Sequence, residues 1–242
     1  METTLINGDC LIEMKNIPDK SIDMILADLP YGTTACKWDT IIPFEPLWEQ
    51  YKRIIKDNGA IVLTASQPFT TDVINSARDI FRYEIIWERA LSGNPFLVKK
   101  QPLKVHENVL VFYKKFGIYN PQMTKGKMRN KKITGAFREI EPQDNITDLY
   151  YPRSVKYFDN ADRKNKVHPT QKPVALMEYL IKTYTNEGDT VLDNCMGSGT
   201  TGVACKLLNR NFIGIELDKG YFEIAKQRIE NNKEQLKFIG EL

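Results

Sequence analysis

Val191-Leu192-Asp193-Asn194-Cys195-Met196-Gly197-Ser198-Gly199-Thr200-Thr201-Gly202 is the stretch on which the fold turns. Thr190–Asp193 reads as a short strand, 194–199 as a glycine loop and Thr200–Leu208 as a helix. Glycines let a backbone approach a ligand closely, and the start of the following helix offers unpaired N–H groups. Glu216 ends the next strand, Phe212–Glu216, nineteen residues after Gly197. An acid there suits a bidentate grip on ribose hydroxyls. Gly197–Gly202 also satisfies the GxGxxG fingerprint, so a nicotinamide-dependent dehydrogenase is one alternative. Against it, only 26 residues follow Glu216, too few for a second mononucleotide half. A nucleoside triphosphate loop would end in Lys-Ser/Thr, which is missing. A bare strand-to-helix turn would not need so dense a glycine cluster.

Working outward, strands and helices alternate. Downstream, Tyr221–Glu230 is a final helix, and upstream Pro173–Tyr184 is a helix with proline in its first turn. In the first half, Thr3–Asn7 reads as a strand, 11–15 as a short helix and Ile22–Ala27 as a buried strand. Glu45–Lys56 is expected as a helix stopped by Asn58-Gly59, and Ala60–Ala65 as a continuous apolar strand. A helix at Gln67–Ala77 and strands near Tyr83–Trp87 and Val109–Tyr113 follow. This order predicts a three-layer α/β fold on a doubly wound, mostly parallel sheet.

Asp28-Leu29-Pro30-Tyr31-Gly32 ends the strand 22–27 and so lies at the sheet edge where open α/β folds bind ligands. The residue set suits the activation of an aromatic amine. Such an amine is a poor nucleophile because its lone pair is delocalised into the ring. Two acceptors on its N–H bonds, the Asp28 carboxylate and the Leu29 carbonyl, would draw the nitrogen toward tetrahedral geometry. Tyr31 can stack on an extruded base. Taken alone, the turn could equally be a strand terminator; paired with the glycine loop it reads as a second functional motif.

Charge is unevenly distributed. Residues 115–166 hold twelve Lys and Arg against six Asp and Glu, a local charge of +6 in a chain whose total is +3. The densest part, Lys125-Gly126-Lys127-Met128-Arg129-Asn130-Lys131-Lys132, places Lys125, Lys127, Arg129, Lys131 and Lys132 as candidate phosphate contacts. The interleaved Phe116, Tyr119, Phe137, Tyr150, Tyr151, Tyr157 and Phe158 favour a partly folded region over a bare tail. Any single lysine there can equally be part of a solvated loop. Four cysteines, Cys10, Cys36, Cys195 and Cys205, show no CxxC spacing, so neither a zinc site nor a disulfide framework is expected. No apolar run suggests a membrane span and the first residues do not read as a signal peptide, so a cytoplasmic protein is expected.

Together these motifs resemble the amino-methyltransferases that act on DNA, whose catalytic motif is Asp/Asn/Ser-Pro-Pro-Tyr. The order, catalytic turn first and cofactor loop last with a charged region between, is similar to their β group, a circularly permuted Rossmann-like fold. The resemblance implies S-adenosylmethionine as cofactor, no metal, and adenine N6 as target because the turn begins with Asp. Cytosine N4 is the alternative, since members acting there more often begin with Ser. His168-Pro169-Thr170-Gln171-Lys172-Pro173 is similar to the family segment that packs around the methionine part of the cofactor, and Asp9 to an N-terminal aspartate beside the adenosine. The implied cofactor residues are Asp9, Cys10, Asp28, Lys172, Asp193, Cys195, Gly197, Ser198, Gly199, Thr200 and Glu216. Asp28, Leu29, Pro30 and Tyr31 are the implied catalytic set. Leu29 departs from the family's first proline and Cys195 from its usual phenylalanine. Glu107 in His106-Glu107-Asn108-Val109 would be catalytic in carbon-5 cytosine enzymes, but the Pro-Cys pair those need is missing. Glu107 is therefore expected to hold a loop, and His106 and His168 to be structural.

The expected organisation is a catalytic half at 1–114, a basic target-recognition region at 115–166 and a cofactor-binding half at 167–242. Double-stranded DNA is the expected partner, with a homodimer and a cognate restriction enzyme as further candidates. A DNA-binding module without catalysis would explain the basic segment but would not need Asp28 and Gly197 together.

Overall fold

A computed structural model of the protein describes residues 1–33, 39–133, 143–160 and 171–231, with the backbone alone for 130–133 and 143–146. His168, Pro169 and Thr170, and Cys36, lie outside the described residues.

The elements, in chain order, are β1 (Thr3–Asn7), α1 (Cys10–Glu13), β2 (Ile22–Asp28), α2 (Phe44–Ile54), β3 (Ile55–Ala65), α3 (Phe69–Ser76), β4 (Phe81–Glu88) and β5 (His106–Phe112). The chain continues with β6 (Thr124–Ile133), β7 (Gln143–Tyr150), β8 (Val155–Tyr157), α4 (Val174–Tyr184), β9 (Thr190–Asp193), α5 (Thr200–Leu207), β10 (Asn211–Glu216) and α6 (Lys219–Asn231). Eight strands form one sheet in the order β1-β10-β9-β2-β3-β5-β4-β8, and β6 pairs with β7 in a separate antiparallel ribbon. From β1 to β3 every pairing is parallel; β5 runs antiparallel between β3 and β4.

The central strands are apolar throughout because both of their faces are covered. Alternate residues point to opposite sides. Ile25, Ile61, Leu63 and Leu110 join the core beneath α1, α2 and α3. Met24, Leu26, Val62 and Val109 join the core beneath α4, α5 and α6. The result is the three-layer, mostly parallel architecture predicted above.

The largest displacement of an expected boundary lies between α2 and β3. The helix ends at Ile54 rather than Lys56, and β3 begins at Ile55 rather than Ala60. Ile55 is buried and paired with Ile22, after which the ladder resumes only at Met24 and Ala60. Asn58-Gly59 therefore lies in an irregular stretch of β3 instead of capping the helix. The Ile54-Ile55 dipeptide fits helical and strand spacing equally, and only pairing with β2 separates them.

The pair β2 and β9 lies where the sheet changes direction. β9 leads through α5 to β10 on one side, and β2 leads through α2 to β3 on the other. The register sets Met24 opposite Val191 and Ile25 opposite Leu192. The loops after Asp28 and Asp193 consequently leave one sheet edge side by side, in the crevice where open α/β sheets bind ligands.

Leu26 is fully buried at the centre of this arrangement. Leu26→Ala should lower unfolding free energy by about 2–5 kcal/mol, the usual cost of such a core truncation, as read from urea denaturation monitored by circular dichroism.

Candidate active site

Asp28 is the last residue of β2, and its carboxylate is held from three sides. Oδ1 accepts hydrogen bonds from Tyr31 Oη at 2.8 Å and from Thr64 Oγ1. Oδ2 accepts from Lys172 Nζ at 2.5 Å. Tyr31 reaches back past Pro30 and the buried Leu29 to Asp28, and its ring stacks on Phe69 of α3 with centroids 5.1 Å apart. Burial, reinforced by the carboxylates of Asp28 and Glu107, pushes the Tyr31 phenol well above its ordinary pKa, so it remains a proton donor to Asp28.

Lys172 lies just before α4 with its side chain 8% exposed, 2.5 Å from Asp28 and 3.5 Å from Glu107 Oε2. Burial alone would lower its pKa. The two carboxylates outweigh that effect and hold the ammonium above the usual lysine range. Glu107 enters from the start of the antiparallel strand β5, and its Oε1 accepts from Arg89 Nη1 at 2.7 Å. Asp28, Lys172, Glu107 and Arg89 thus alternate in sign across four separate parts of the chain. Such alternation is what makes the burial of ionic groups tolerable.

The second loop is built on Asp193 and Glu216. Asp193 Oδ1 accepts from Cys195 N at 3.1 Å and Oδ2 from Thr201 Oγ1 at 2.6 Å. Glu216 Oε2 accepts from Gly197 N at 2.8 Å, and Oε1 from Asp218 N at 2.8 Å. Gly197 (φ +52°) and Gly199 (φ +80°) both need left-handed backbone. A Cβ on Gly199 would lie 2.9 Å from Ala225 of α6, whereas one on Gly197 would enter open space. Gly199 packs the loop down and Gly197 leaves its outer surface free for a ligand.

β1 adds the remaining wall. Asn7 pairs with Glu216, and Asp9 caps α1 by accepting from Leu11 N at 2.8 Å. Cys10 follows, buried at the start of α1. The structure therefore brings Asp9, Cys10, Cys195, Gly197 and Glu216 to one end of the carboxyl edge and Asp28, Leu29, Pro30 and Tyr31 to the adjoining turn. Ser198 and Thr200 are buried, and the Ser198 hydroxyl accepts from Arg228 of α6 at 2.9 Å. They can face a ligand through backbone rather than side chain.

The basic residues stand apart on the β6–β7 ribbon. Lys125 pairs with Asp148 at 3.6 Å with its side chain 82% exposed, Lys127 is exposed, and the Arg129 guanidinium lies 4.0 Å over the Tyr150 ring. Lys131 and Lys132 belong to β6 opposite Asn145 and Asp144. Three contributors to the site were not singled out by their sequence. Thr64 has a readable signal, a hydroxyl residue near the end of the otherwise apolar run Ala60–Ala65. Phe69 and Arg89 have none, because their roles depend on partners far along the chain.

Burial pushes the Asp193 carboxyl up to about 7 despite its two hydrogen bonds. The unfolded chain ionises near 3.8, so between 3.8 and about 7 the folded form binds more protons and stability from this group falls as pH rises. Asp193→Asn, neutral throughout, should flatten that decline in urea titrations across the same pH range.

This geometry has close counterparts. The N6/N4 methyltransferase family, described as DNA methylase, matches residues 22–227. Type II methyltransferase M.HpaI of Haemophilus parainfluenzae is 30% identical over 243 residues, covering 96% of this chain and 75% of that protein. DNA adenine methyltransferase YhdJ of Escherichia coli is 30% identical over 251 residues, covering 94% and 82%. The crystal structure of the M1.HpyAVI–SAM complex superposes with a TM-score of 0.65 at 28% identity, covering 93% of this chain and 99% of that one. The match over residues 22–227, on a fold that sets the Asp28 turn beside the glycine loop, places this chain in the N6/N4 DNA methylase family, enzymes that take their methyl group from S-adenosylmethionine.

Proposed function

We propose that the chain transfers a methyl group to adenine N6 at specific sites in double-stranded DNA. The single observation that carries this reading is the placement of Asp28: a carboxylate fixed from three sides, at the carboxyl end of β2, beside the glycine loop of β9. That the turn begins with Asp, and that one relative is named a DNA adenine methyltransferase, favours adenine over cytosine N4. In this reading the chain works in the cytoplasm, the β6–β7 ribbon belongs to the target-recognition region, and a second copy and a cognate restriction enzyme are further partners.

The residues fit the cofactor. A carboxylate has about four acceptor directions; Glu216 uses two on Gly197 and Asp218, which leaves two for ribose hydroxyls. The open side of Gly197 and the neighbouring Asp9, Cys10 and Cys195 complete the cradle. When bound, S-adenosylmethionine supplies an electrophilic methyl group on a sulfonium.

The protein's part is positioning and charge. Tyr31, Thr64 and Lys172 occupy three of the roughly four acceptor directions of Asp28. The remaining direction and the Leu29 carbonyl are the two acceptors for the amino group. As the nitrogen becomes tetrahedral and gains positive charge, its hydrogen bond to Asp28 strengthens, which stabilises the transition state more than the ground state. Lys172 keeps the carboxylate from rotating, and Glu107 offsets the lysine's charge, so the site does not repel the developing cation.

Two substitutions separate these roles. In calorimetry, Glu216→Ala should weaken S-adenosylmethionine binding by about 1.5–3 kcal/mol; unchanged affinity would remove Glu216 from the cofactor site. Asp28→Ala should keep cofactor and DNA binding but slow single-turnover methylation by about 100-fold or more, with Asp28→Asn intermediate. A wild-type rate in Asp28→Ala would reduce the turn to a strand terminator. Modified-base sequencing of DNA from expressing cells identifies the site and distinguishes adenine N6 from cytosine N4.

A further inference from the structure

Between β4 and β5, residues 89–105 extend the hairpin past the edge of the sheet that carries the active site. Arg89 N donates to Val105 O at 2.7 Å and Gly93 N to Lys104 O at 2.9 Å. Asn94 closes the base of the tip, accepting from Lys104 N at 2.6 Å and donating to Pro102 O at 3.2 Å. The hairpin is tied to the site itself: Arg89 binds Glu107, and Lys104 Nζ donates to Ser66 Oγ just beyond β3. A braced stem thus carries a tip, 94–103, with an unusual surface. Phe96 is 98% exposed and Val98 58%, with Leu97 and Leu103 exposed beside them. Lys99 and Lys100 follow, also exposed, and from 89 to 105 there are four basic residues and no acid.

A cluster of large apolar side chains facing water marks an interaction surface. Its lysines, unopposed by any acid in the segment, call for an anionic partner with an apolar interior beneath, and a base stack lined by phosphates is that combination. A second copy of the same loop would be repelled by like charge. The location supplies the purpose. An enzyme that works on a base amine must unstack and extrude the base, and apolar side chains inserted between base steps hold a duplex open. We infer that the 94–103 tip is a wedge, with Phe96 entering the stack at the space left by the extruded base and Lys99 and Lys100 on the flanking phosphates. The inference rests on the proposed action on duplex DNA.

The test uses duplexes carrying the site mapped by modified-base sequencing, with the target base either paired or opposite an abasic position. Because an unpaired target needs little help to leave the stack, Phe96→Ala should lose at least about tenfold in kcat/KM on the paired duplex and under about threefold on the abasic one. With 2-aminopurine at the target position, the fluorescence rise on enzyme binding should shrink in parallel, and Phe96→Leu should recover part of both. Lys99→Gln with Lys100→Gln should lower the slope of log affinity against log salt by about 0.9 per lost contact. Cofactor affinity and Tm should not change, since Phe96 packs on little else. Unchanged rates on both duplexes, equal losses on both, or a fall in solution mass marking a self-association surface would each overturn the wedge. If the wild-type chain methylates no DNA, the proposed function fails first and the wedge with it; if wild type methylates and Phe96→Ala does so equally, only the wedge fails.

Discussion

A lysine ammonium taken out of water loses hydration worth several kcal/mol unless opposite charge replaces it. In this protein Lys172 obtains that replacement from Asp28 and Glu107, and the site is arranged around the exchange. The ion pair joins the turn after β2 to the segment before α4, and Glu107 brings in β5 and, through Arg89, the stem of the 89–105 hairpin. Because each charge is compensated by its neighbour, removing one would strand another in a buried setting. The Asp28 carboxylate therefore has its orientation set by Thr64 and Lys172, 36 and 144 positions away in sequence, by Glu107 through Lys172, and by nearby Tyr31.

Parallel pairing of β2 with β9 supplies the other half of the geometry. Two strands more than 160 residues apart place their carboxyl ends together, so the Asp28 turn and the glycine loop open into the same crevice. The antiparallel β5 matters for a different reason. Reversal lets it contribute its first residues, His106 and Glu107, to the edge where its neighbours contribute their last. An acid there can brace the site without standing on the crevice floor.

Positive charge is divided between two devices of different character. The β6–β7 ribbon carries its cations on a flat antiparallel surface, partly offset by Asp148 and by the Tyr150 ring, an arrangement suited to following a phosphate backbone. The 94–103 tip sets its lysines next to bare apolar side chains on a stem anchored to Glu107 through Arg89. In the proposed reading the first supplies affinity and register and the second acts on the base stack.

Much of the fold was legible locally. Apolar runs such as Ile22–Ala27 and Ala60–Ala65, the glycines at 197 and 199, and the acids ending strands at Asp28 and Glu216 identify a parallel α/β sheet and its ligand edge, because burial on both faces and left-handed turns impose residue types at particular spacings. The family resemblance rests on those same short motifs. Where strand and helix spacing coincide, as at Ile54-Ile55, the boundary was not legible; pairing with Ile22 decided it. Nor could spacing show that Lys172, expected at the cofactor, binds Asp28, that Thr64 and Phe69 complete the turn, or that the 89–105 segment stands out from the active edge. Motifs within a dozen residues reflect local backbone needs, which sequence records directly. Charge compensation between residues 28, 107 and 172 depends on distances that exist only after strand order is set, and that order belongs to the tertiary structure.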